Sequence, residues 1–260
     1  MMMYEDVLKD VNEWIDKVAQ FQLDAMHHKD YNIRTKDSDI NLVTDIDIKS
    51  EEMLIEFITN KYTDHSILSE ESGINGHNSE YMWVMDPLDG TTNFIHGFPM
   101  FSISVALKYQ GITQLGMVYA PLLNMKFKAI RGQGAYLNEK KITASKTSNL
   151  KDSLISTGFT YNRLEENINL KYFSKIINKI SGIRRTGSAA VDVCLVAASS
   201  LDGYWEFNLN EWDICAGALI LEEAKGKITH LDECSNRLMV CSNSNIHELL
   251  IDCLLSPRFD

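Results

Sequence analysis

One segment of this 260-residue chain constrains its fold more than any other: an apolar run that leads directly into two carboxylates. Residues 82–85 are apolar and predict a buried strand. Asp86 and Asp89 follow, with a proline between them that stiffens the turn. Residues 90–93 (Gly-Thr-Thr-Asn) supply free backbone amides and hydroxyls and predict the start of a helix. Fixed carboxylates are hard oxygen ligands suited to Mg²⁺, and a helix N-terminus favours an anion. The segment therefore predicts metal-assisted phosphate chemistry.

Length and composition predict a globular chain that folds as one domain. With 45% hydrophobic residues the chain can bury a substantial core. We expect one domain over residues 1–260 with two closely packed halves, approximately 1–150 and 151–260. No apolar run approaches the ~20 residues that cross a bilayer, and residues 1–9 are too polar for a signal peptide. The expected protein is therefore cytoplasmic and has no membrane partner.

The charge balance bears on the class of ligand. A formal net charge of −11 argues against nucleic acid as the main partner, because phosphate backbones are held by clusters of Lys and Arg. A small phosphorylated substrate remains compatible with this charge, since bound divalent cations can invert the local field. We therefore expect a small-molecule phosphate ester and no nucleic acid.

The periodicity of apolar residues predicts a mixed α and β protein. Helical spacing marks residues 4–21 and 47–61, and strands are predicted between residues 66 and 137 with a hairpin turn at 110–111 and another at 138–139. Later, helices are predicted at 162–181, 189–198, 212–224 and 245–255, alternating with strands that include 153–158 and 183–186. Consecutive strands without intervening helices favour an antiparallel or mixed sheet, so the predicted class is α+β.

Three further positions combine a polar residue with a predicted element boundary. Glu70 follows the apolar pair 67–68, where a strand would leave its sheet, although two solvated glutamates in a loop are the simpler interpretation. Asp213 precedes an apolar helix and is a candidate N-cap, a role compatible with metal ligation. Residues 187–190 (Gly-Ser-Ala-Ala) begin a helix and predict either an anion site or a tight turn.

Together these motifs resemble the inositol monophosphatase family. The resemblance is carried in order by residues 70–72, 86–94 and 212–213, with further matches at Lys36, 41–47, 96–99 and 187–190, and it spans about residues 4 to 250. It implies a layered αβαβα sandwich of the inositol monophosphatase and fructose bisphosphatase type, usually a homodimer. It also implies an Mg²⁺-dependent and lithium-sensitive sugar phosphatase.

By matching positions, the resemblance implies a role for each motif residue. The implied ligands of two or three Mg²⁺ ions are all oxygen donors: Glu70, Asp86, the Leu88 carbonyl, Asp89 and Asp213. Glu70 and Thr91 would orient and activate water, with Asp47 supporting Thr91. The implied substrate contacts, of which the first two hold phosphate through their amides, are Gly90, Thr91, Gly187, Ser188, Ala189 and Glu206.

Two positions depart from the family pattern. Lys225 stands where the family often has glycine, which costs about 1 kcal/mol if the backbone there is left-handed. Ser188 replaces a common threonine but keeps the hydroxyl. Both positions flank the substrate, so they bear on its identity and leave the reaction unchanged.

The expected reaction is Mg²⁺-dependent hydrolysis of a phosphate monoester, first of all inositol monophosphate. Fructose-1,6-bisphosphatase or dual activity is the main alternative, and the paired Arg184 and Arg185 are where a second phosphate would bind. Residues 91–93 favour the inositol type over 3′-phosphoadenosine nucleotide phosphatases, which more often carry a Lys after the first threonine. Histidinol-phosphate phosphatase activity and a catalytically silent binding module remain open.

Overall fold

The computed structural model describes residues 3–29, 31–35, 42–76, 79–159, 168–233 and 236–256. Lys36 and residue 41 of the predicted family match lie outside these ranges. Within them, no helix has both the length and the apolar character needed to cross a membrane.

The described helices and strands follow the order that the periodicity predicts, with a short additional strand at residues 33–35. The helices are α1 (Tyr4–His28), α2 (Asp45–Lys61), α3 (Thr91–His96), α4 (Asn169–Ile176), α5 (Ala189–Ala197), α6 (Glu211–Glu223) and α7 (His247–Leu255). The strands of the first half are β1 (Ile33–Thr35), β2 (Leu42–Thr44), β3 (Ser66–Ser69), β4 (Gly73–Asn75), β5 (Tyr81–Asp89), β6 (Ser102–Tyr109), β7 (Ile112–Ala120), β8 (Met125–Ile130), β9 (Gly134–Leu137) and β10 (Lys140–Ile142). Those of the second half are β11 (Leu154–Thr157), β12 (Gly182–Arg184), β13 (Gly203–Phe207), β14 (Gly226–Glu233) and β15 (Asn236–Asn243).

The strands form two main sheets. The larger has eight strands in the order β10-β9-β8-β7-β6-β5-β3-β4, and it is mixed because β3 and β5 run parallel. The smaller has five strands in the order β12-β11-β13-β15-β14, with β12, β11 and β13 parallel. A separate two-stranded ribbon joins β1 and β2. The predicted mixed sheet is confirmed.

Helices cover the sheets in three layers. On one face of the large sheet, α1 and α2 bury Ile15 and Leu54 against Trp83 of β5. Helices α5 and α6 lie between the two sheets, in a core that also contains Tyr204 of β13. Helices α4 and α7 cover the outer face of the small sheet, against Trp205. The result is the αβαβα sandwich of class α+β that the sequence predicts.

Local sequence explains both predicted hairpin turns. Gln110 and Gly111 have φ values of 49° and 80°, and Asn138 and Glu139 have values of 45° and 68°. Two successive left-handed residues form a type I′ turn, whose twist matches that of the flanking strands. Both turns therefore connect adjacent antiparallel strands.

Several element boundaries differ from the prediction, and α1 extends beyond the predicted residues 4–21 to His28. Strand β5 continues to Asp89, although the apolar run ends at residue 85, because a bulge between Asp86 and Asp89 lets the chain keep pairing with β6. The predicted strand 183–186 is β12, which ends at residue 184. The predicted helix 162–181 is α4 over residues 169–176, and residues 160–167 lie outside the described residues.

Candidate active site

The bulge at the end of β5 directs two carboxylates toward one side of the fold. The Asp86 carboxylate accepts a hydrogen bond from the Leu88 amide at 2.9 Å, which closes the turn around the proline. Gly90 follows with φ 92°, and a Cβ there would lie 2.9 Å from the Met100 carbonyl oxygen. Only glycine fits this position, so the chain can turn sharply and begin α3 at Thr91.

Thr91 is held by the start of α2. Its hydroxyl donates to Asp47 Oδ1 at 2.7 Å, and Asp47 Oδ2 accepts the Thr44 amide at 2.8 Å and the Thr44 hydroxyl at 2.6 Å. Thr44 and Asp47 thus form a capping box that fixes the carboxylate. Burial raises the pKa of Asp47 above its usual range. Because the Thr91 proton is committed to Asp47, a lone pair of Thr91 Oγ1 is left to accept a hydrogen bond from the cleft.

Glu70 and Asp213 approach from other elements. Glu70 immediately follows β3, where a strand leaves the large sheet as the sequence predicts. Asp213 lies in the first turn of α6, and its carboxylate accepts the Asn210 amide at 2.6 Å. The prediction that Asp213 is the N-cap is wrong: Asn210 is the N-cap, and Asp213 is the third helical residue of a capping box. This position moves its carboxylate one turn into the helix.

The N-terminus of α5 binds the carboxylate of Asp89, a residue of the same chain. Asp89 Oδ2 accepts the Ser188 hydroxyl at 2.5 Å and the Ala190 amide at 2.9 Å. Ser188 is buried and also caps α5 by accepting the Val191 amide. Gly187 makes a tight turn with φ 90°. The tight turn predicted for residues 187–190 is therefore present, whereas an anion site for a ligand there stays a prediction, because the Ala190 amide donates to Asp89.

These elements enclose one cleft with a volume of about 110 Å³. A single water needs only about 10–15 Å³, so the cleft has room for a phosphate group. Its lining comprises Leu42, Glu70, Asp86, Leu88, Asp89, Gly90, Thr91, Thr92, Gly187 and Asp213. The predicted site residues Asp47, Ser188, Ala189 and Glu206 are not part of this lining. Among them, Asp47 and Ser188 instead hold the lining residues Thr91 and Asp89 in place.

Burial of several like charges dominates the electrostatics of the cleft. Burial, reinforced by the charges of Glu70, Asp89 and Asp213, raises the pKa of Asp86 well above its usual range. The pKa of Asp89 is raised by burial to about 6, although Ser188 and Ala190 stabilise its charged form. The pKa of Asp213 is likewise raised by burial and by the Asp89 charge. A cation in the cleft would relieve this repulsion.

The donor set of the cleft suits a hard divalent cation. Four carboxylates and the Leu88 carbonyl are oxygen ligands of the kind that Mg²⁺ prefers. Within the ranges that the structure describes, no three acidic, His or Cys side chains are arranged around one point as ligands of a single ion. The hydrogen bonds above explain this, because Asp89 is turned toward Ser188 and Asp213 toward the Asn210 amide. The residues fit Mg²⁺ by chemistry, and one carboxylate oxygen each of Asp86, Asp89 and Asp213 accepts a hydrogen bond within the chain.

Glu206 lies apart from the cleft lining. Its carboxylate accepts the Tyr204 hydroxyl, and it packs so closely on the Cα of Gly158 that a Cβ there would overlap it. Burial raises the pKa of Glu206 to about 7, with a smaller contribution from the charge of Asp89. Glu206 is therefore an electrostatic neighbour of the cleft, and its predicted contact with substrate stays a prediction.

Two residues that the sequence analysis did not identify support the bulged end of β5 and the start of α3. Gln22 of α1 is fully buried and donates to the Pro87 carbonyl at 2.7 Å. Asn93 donates to the Met100 carbonyl at 2.5 Å and to the Thr186 carbonyl at 2.9 Å, which ties α3 to the segment before α5. Gln22 had a detectable signal, because it is a polar residue at helical spacing within the apolar stripe of α1. Asn93 lies within the motif of residues 86–94, but the sequence did not indicate its structural role.

The layered fold and the carboxylate cleft are those expected of a phosphatase. The sequence profile described as the inositol monophosphatase family matches residues 3–255, so this chain belongs to that family. Inositol-1-monophosphatase of Synechocystis is 37% identical over 257 residues, covering 94% of this chain and 90% of the relative.

Other relatives carry a different name. A protein of Pasteurella multocida called Nus factor SuhB is 43% identical over 188 residues, covering 72% of this chain and 70% of the relative. The crystal structure of the extragenic suppressor protein suhB from Bartonella henselae superposes with a TM-score of 0.90 at 31% identity, covering 97% of this chain and 100% of that one. The predicted resemblance and fold are therefore both confirmed.

Proposed function

We propose that this protein hydrolyses the phosphate monoester of a small polyol, first of all inositol monophosphate, with Mg²⁺ bound in the cleft. The observation that carries this proposal is the convergence of four carboxylates with the Thr91–Asp47 pair on a single cleft. Glu70, Asp86, the Leu88 carbonyl, Asp89 and Asp213 are the proposed metal ligands. Membership of the inositol monophosphatase family supports the same reaction.

Bound Mg²⁺ ions supply Lewis acidity, which lowers the pKa of a water molecule and neutralises charge on the phosphate and the leaving oxygen. The residues of the chain position the attacking water and the phosphate. With its proton committed to Asp47, Thr91 Oγ1 accepts a hydrogen bond from the attacking water and orients it. Glu70 faces the same cleft and takes the proton of that water. The amides of Gly90 and Thr91 are proposed to hold the phosphate oxygens.

The lining favours a substrate with one phosphate. Among the described residues that line the cleft, none is Lys, Arg or His. Arg184 is exposed and donates to its own neighbour, the Ile183 carbonyl. Arg185 lies beside Gly187 and interacts electrostatically with Glu206. A second phosphate, as in fructose 1,6-bisphosphate, would have to draw Arg185 away from Glu206. We therefore rank the bisphosphatase second.

Phosphate release from myo-inositol 1-phosphate and fructose 1,6-bisphosphate, measured side by side with Mg²⁺ and with EDTA, tests the proposal. We expect Mg²⁺-dependent turnover that favours the inositol ester and is inhibited by lithium. Asp252→Asn, which removes an exposed carboxylate on α7, is the matched control and should keep full activity, whereas Asp89→Asn should lose it. Turnover that is insensitive to EDTA would contradict the metal assignment.

A second candidate is a role without turnover, and the observation that favours it is the 43% identity to a relative named Nus factor SuhB. The two candidates are separated by a wider panel that adds a 3′-phosphoadenosine nucleotide and histidinol phosphate. If no phosphate monoester is hydrolysed while Mg²⁺ still raises the melting temperature, the fold has kept its metal site and serves as a binding module. Hydrolysis of any one ester would assign the enzymatic role.

A further inference from the structure

The Glu70 segment is anchored by a buried carboxylate that no motif contains. Glu51 lies on α2 and is only 4% exposed. Its Oε2 atom accepts the hydroxyl of Ser69 and also the amide of Glu71 at 3.0 Å. Ser69 and Glu71 are the two immediate neighbours of Glu70. One oxygen atom therefore holds the chain on both sides of the proposed base.

The spacing of Glu51 along α2 connects it with Asp47. The two residues are four positions apart, so they lie on the same face of the helix, about 6 Å apart along its axis. Asp47 holds the Thr91 hydroxyl, and Glu51 holds the flanks of Glu70. A single rigid element thus contacts Thr91 directly and Glu70 through its two neighbours in the chain.

A second contact stabilises the same face of α2. Between Asp47 and Glu51, Ser50 accepts a hydrogen bond at 3.1 Å from Gln22 Nε2, which also donates to the Pro87 carbonyl. The segment after β3 and the segment of β5 are therefore tied to one helix face through buried hydrogen bonds. Buried hydrogen bonds rigidify their surroundings, which is what a site with sub-ångström tolerance needs; of the Gln22 amide, only the Nε2 atom takes part, because Oε1 has no partner among the described residues.

We propose that Glu51 is a positioning residue: from α2 it accepts hydrogen bonds from the Ser69 side chain and the Glu71 backbone amide, and so sets where the Glu70 carboxylate lies in the cleft. This inference rests on the proposed function of Glu70. It extends that function to a residue that does not line the cleft and touches no substrate.

Two substitutions of Glu51 test the role. Glu51→Leu keeps the approximate volume but removes the acceptor, and we expect kcat to fall at least 10-fold while KM changes less than 3-fold. Glu51→Gln keeps a side-chain oxygen whose two lone pairs can accept both hydrogen bonds, so kcat should stay within about 3-fold of the wild type. If Glu51→Leu does not fold, Ser69→Ala removes one of the two hydrogen bonds and should lower kcat by a few-fold.

A matched control separates position from stability. Leu54→Ala removes a fully buried side chain from the same helix and destabilises its packing, while both hydrogen bonds accepted by Glu51 keep their partners. At a temperature well below its melting point, Leu54→Ala should retain kcat within about 2-fold. Equal losses of kcat in Leu54→Ala and Glu51→Leu would overturn the proposal, because α2 would then act through stability alone.

A readout without turnover keeps the test independent of the substrate. The Glu71 amide donates to Glu51, so its hydrogen exchange, measured by NMR, should accelerate at least 10-fold in Glu51→Leu and stay unchanged in Leu54→Ala relative to neighbouring amides. An unchanged Glu71 exchange rate in Glu51→Leu overturns the proposal. If the wild type hydrolyses no phosphate ester, the proposed function fails, and the exchange rates still decide whether Glu51 holds the segment.

Discussion

Asp192→Asn tests how burial acts on a carboxyl group that lies behind the cleft. Asp192 is on α5 and is only 2% exposed. Its Oδ2 atom accepts the Thr186 hydroxyl at 2.6 Å. The Ser156 hydroxyl is near enough to favour the charged form, but neither its oxygen nor Asp192 Oδ1 belongs to a well-formed hydrogen bond. Burial outweighs both hydroxyls and raises the pKa of Asp192 from 3.8 to about 8.

The sign of the pH dependence follows from this raised pKa. The folded protein keeps the Asp192 proton after the unfolded chain has lost it, so the stability linked to this proton is fully present below about pH 4. It is lost as the pH rises through about 8. Between pH 5 and pH 7.5 the loss approaches 1.4 kcal/mol per pH unit, or at most about 3 kcal/mol. Asparagine does not titrate, and its amide keeps an acceptor for Thr186 while adding an N–H donor.

We therefore expect the stability of Asp192→Asn relative to the wild type to increase by about 1.5–3 kcal/mol between pH 5 and pH 7.5. Urea unfolding of both proteins in EDTA at pH 5, 6, 7 and 7.5 measures this difference. Other buried carboxyl groups, such as Glu206, titrate in both proteins and largely cancel. Asp252→Asn is the exposed control and should follow the wild type at every pH. A difference between Asp192→Asn and wild type that does not change with pH would refute the reasoning.

Substitutions at three other positions separate the chemistry of the cleft from the stability of the fold. At 100 times its Kd, Mg²⁺ should stabilise the wild type by about 2.7 kcal/mol, and Asp89→Asn should lose most of the resulting rise in melting temperature. An equal rise in both proteins would exclude Asp89 as a ligand. Thr91→Val should lower kcat at least ~100-fold, whereas Thr91→Ser keeps the hydroxyl and should have a kcat close to that of the wild type. Equal losses of kcat in the two variants would show that the methyl group of Thr91, and not its hydroxyl, is needed. Lys225 has φ 68°, so Lys225→Gly should add about 1 kcal/mol, or about 2–4 °C in melting temperature, with no change in rate. A lower melting temperature would contradict that reasoning.

Some of the site could be predicted because its signal is local. The apolar run before Asp86, the turn residues at 110–111 and the glycine at position 90 each act within a few residues, and the structure has the predicted strand, hairpin and turn there. The backbone at Lys225 is left-handed, which is the case that the family's glycine at this position raised, and this feature is local in the same sense, since it ends the helix α6. The order of the layers in the αβαβα sandwich was predicted from the family resemblance and not from these local signals.

Other features of the site depend on contacts between distant parts of the chain. The helix start at residue 188 could be predicted as an anion site, but the anion is Asp89, which lies almost a hundred positions earlier. Asp213 could be predicted to cap α6, but the hydrogen bond from Asn210 places it inside the first turn. No sequence pattern indicates that Glu51 accepts hydrogen bonds from both neighbours of Glu70.

By itself, the sequence determined most of the element types and both hairpin turns, because backbone propensity and apolar periodicity are short-range properties, and its resemblance to the family supplied the proposed oxygen donors. Only the tertiary structure decided which of those donors share one cleft and which support it from behind, as Asp47 and Ser188 do. It also decided their charge, since the raised pKa of Asp86 depends on burial and on Glu70, Asp89 and Asp213 together. Burial and electrostatic repulsion act through space, so they arise only when the two sheets and their helices have packed.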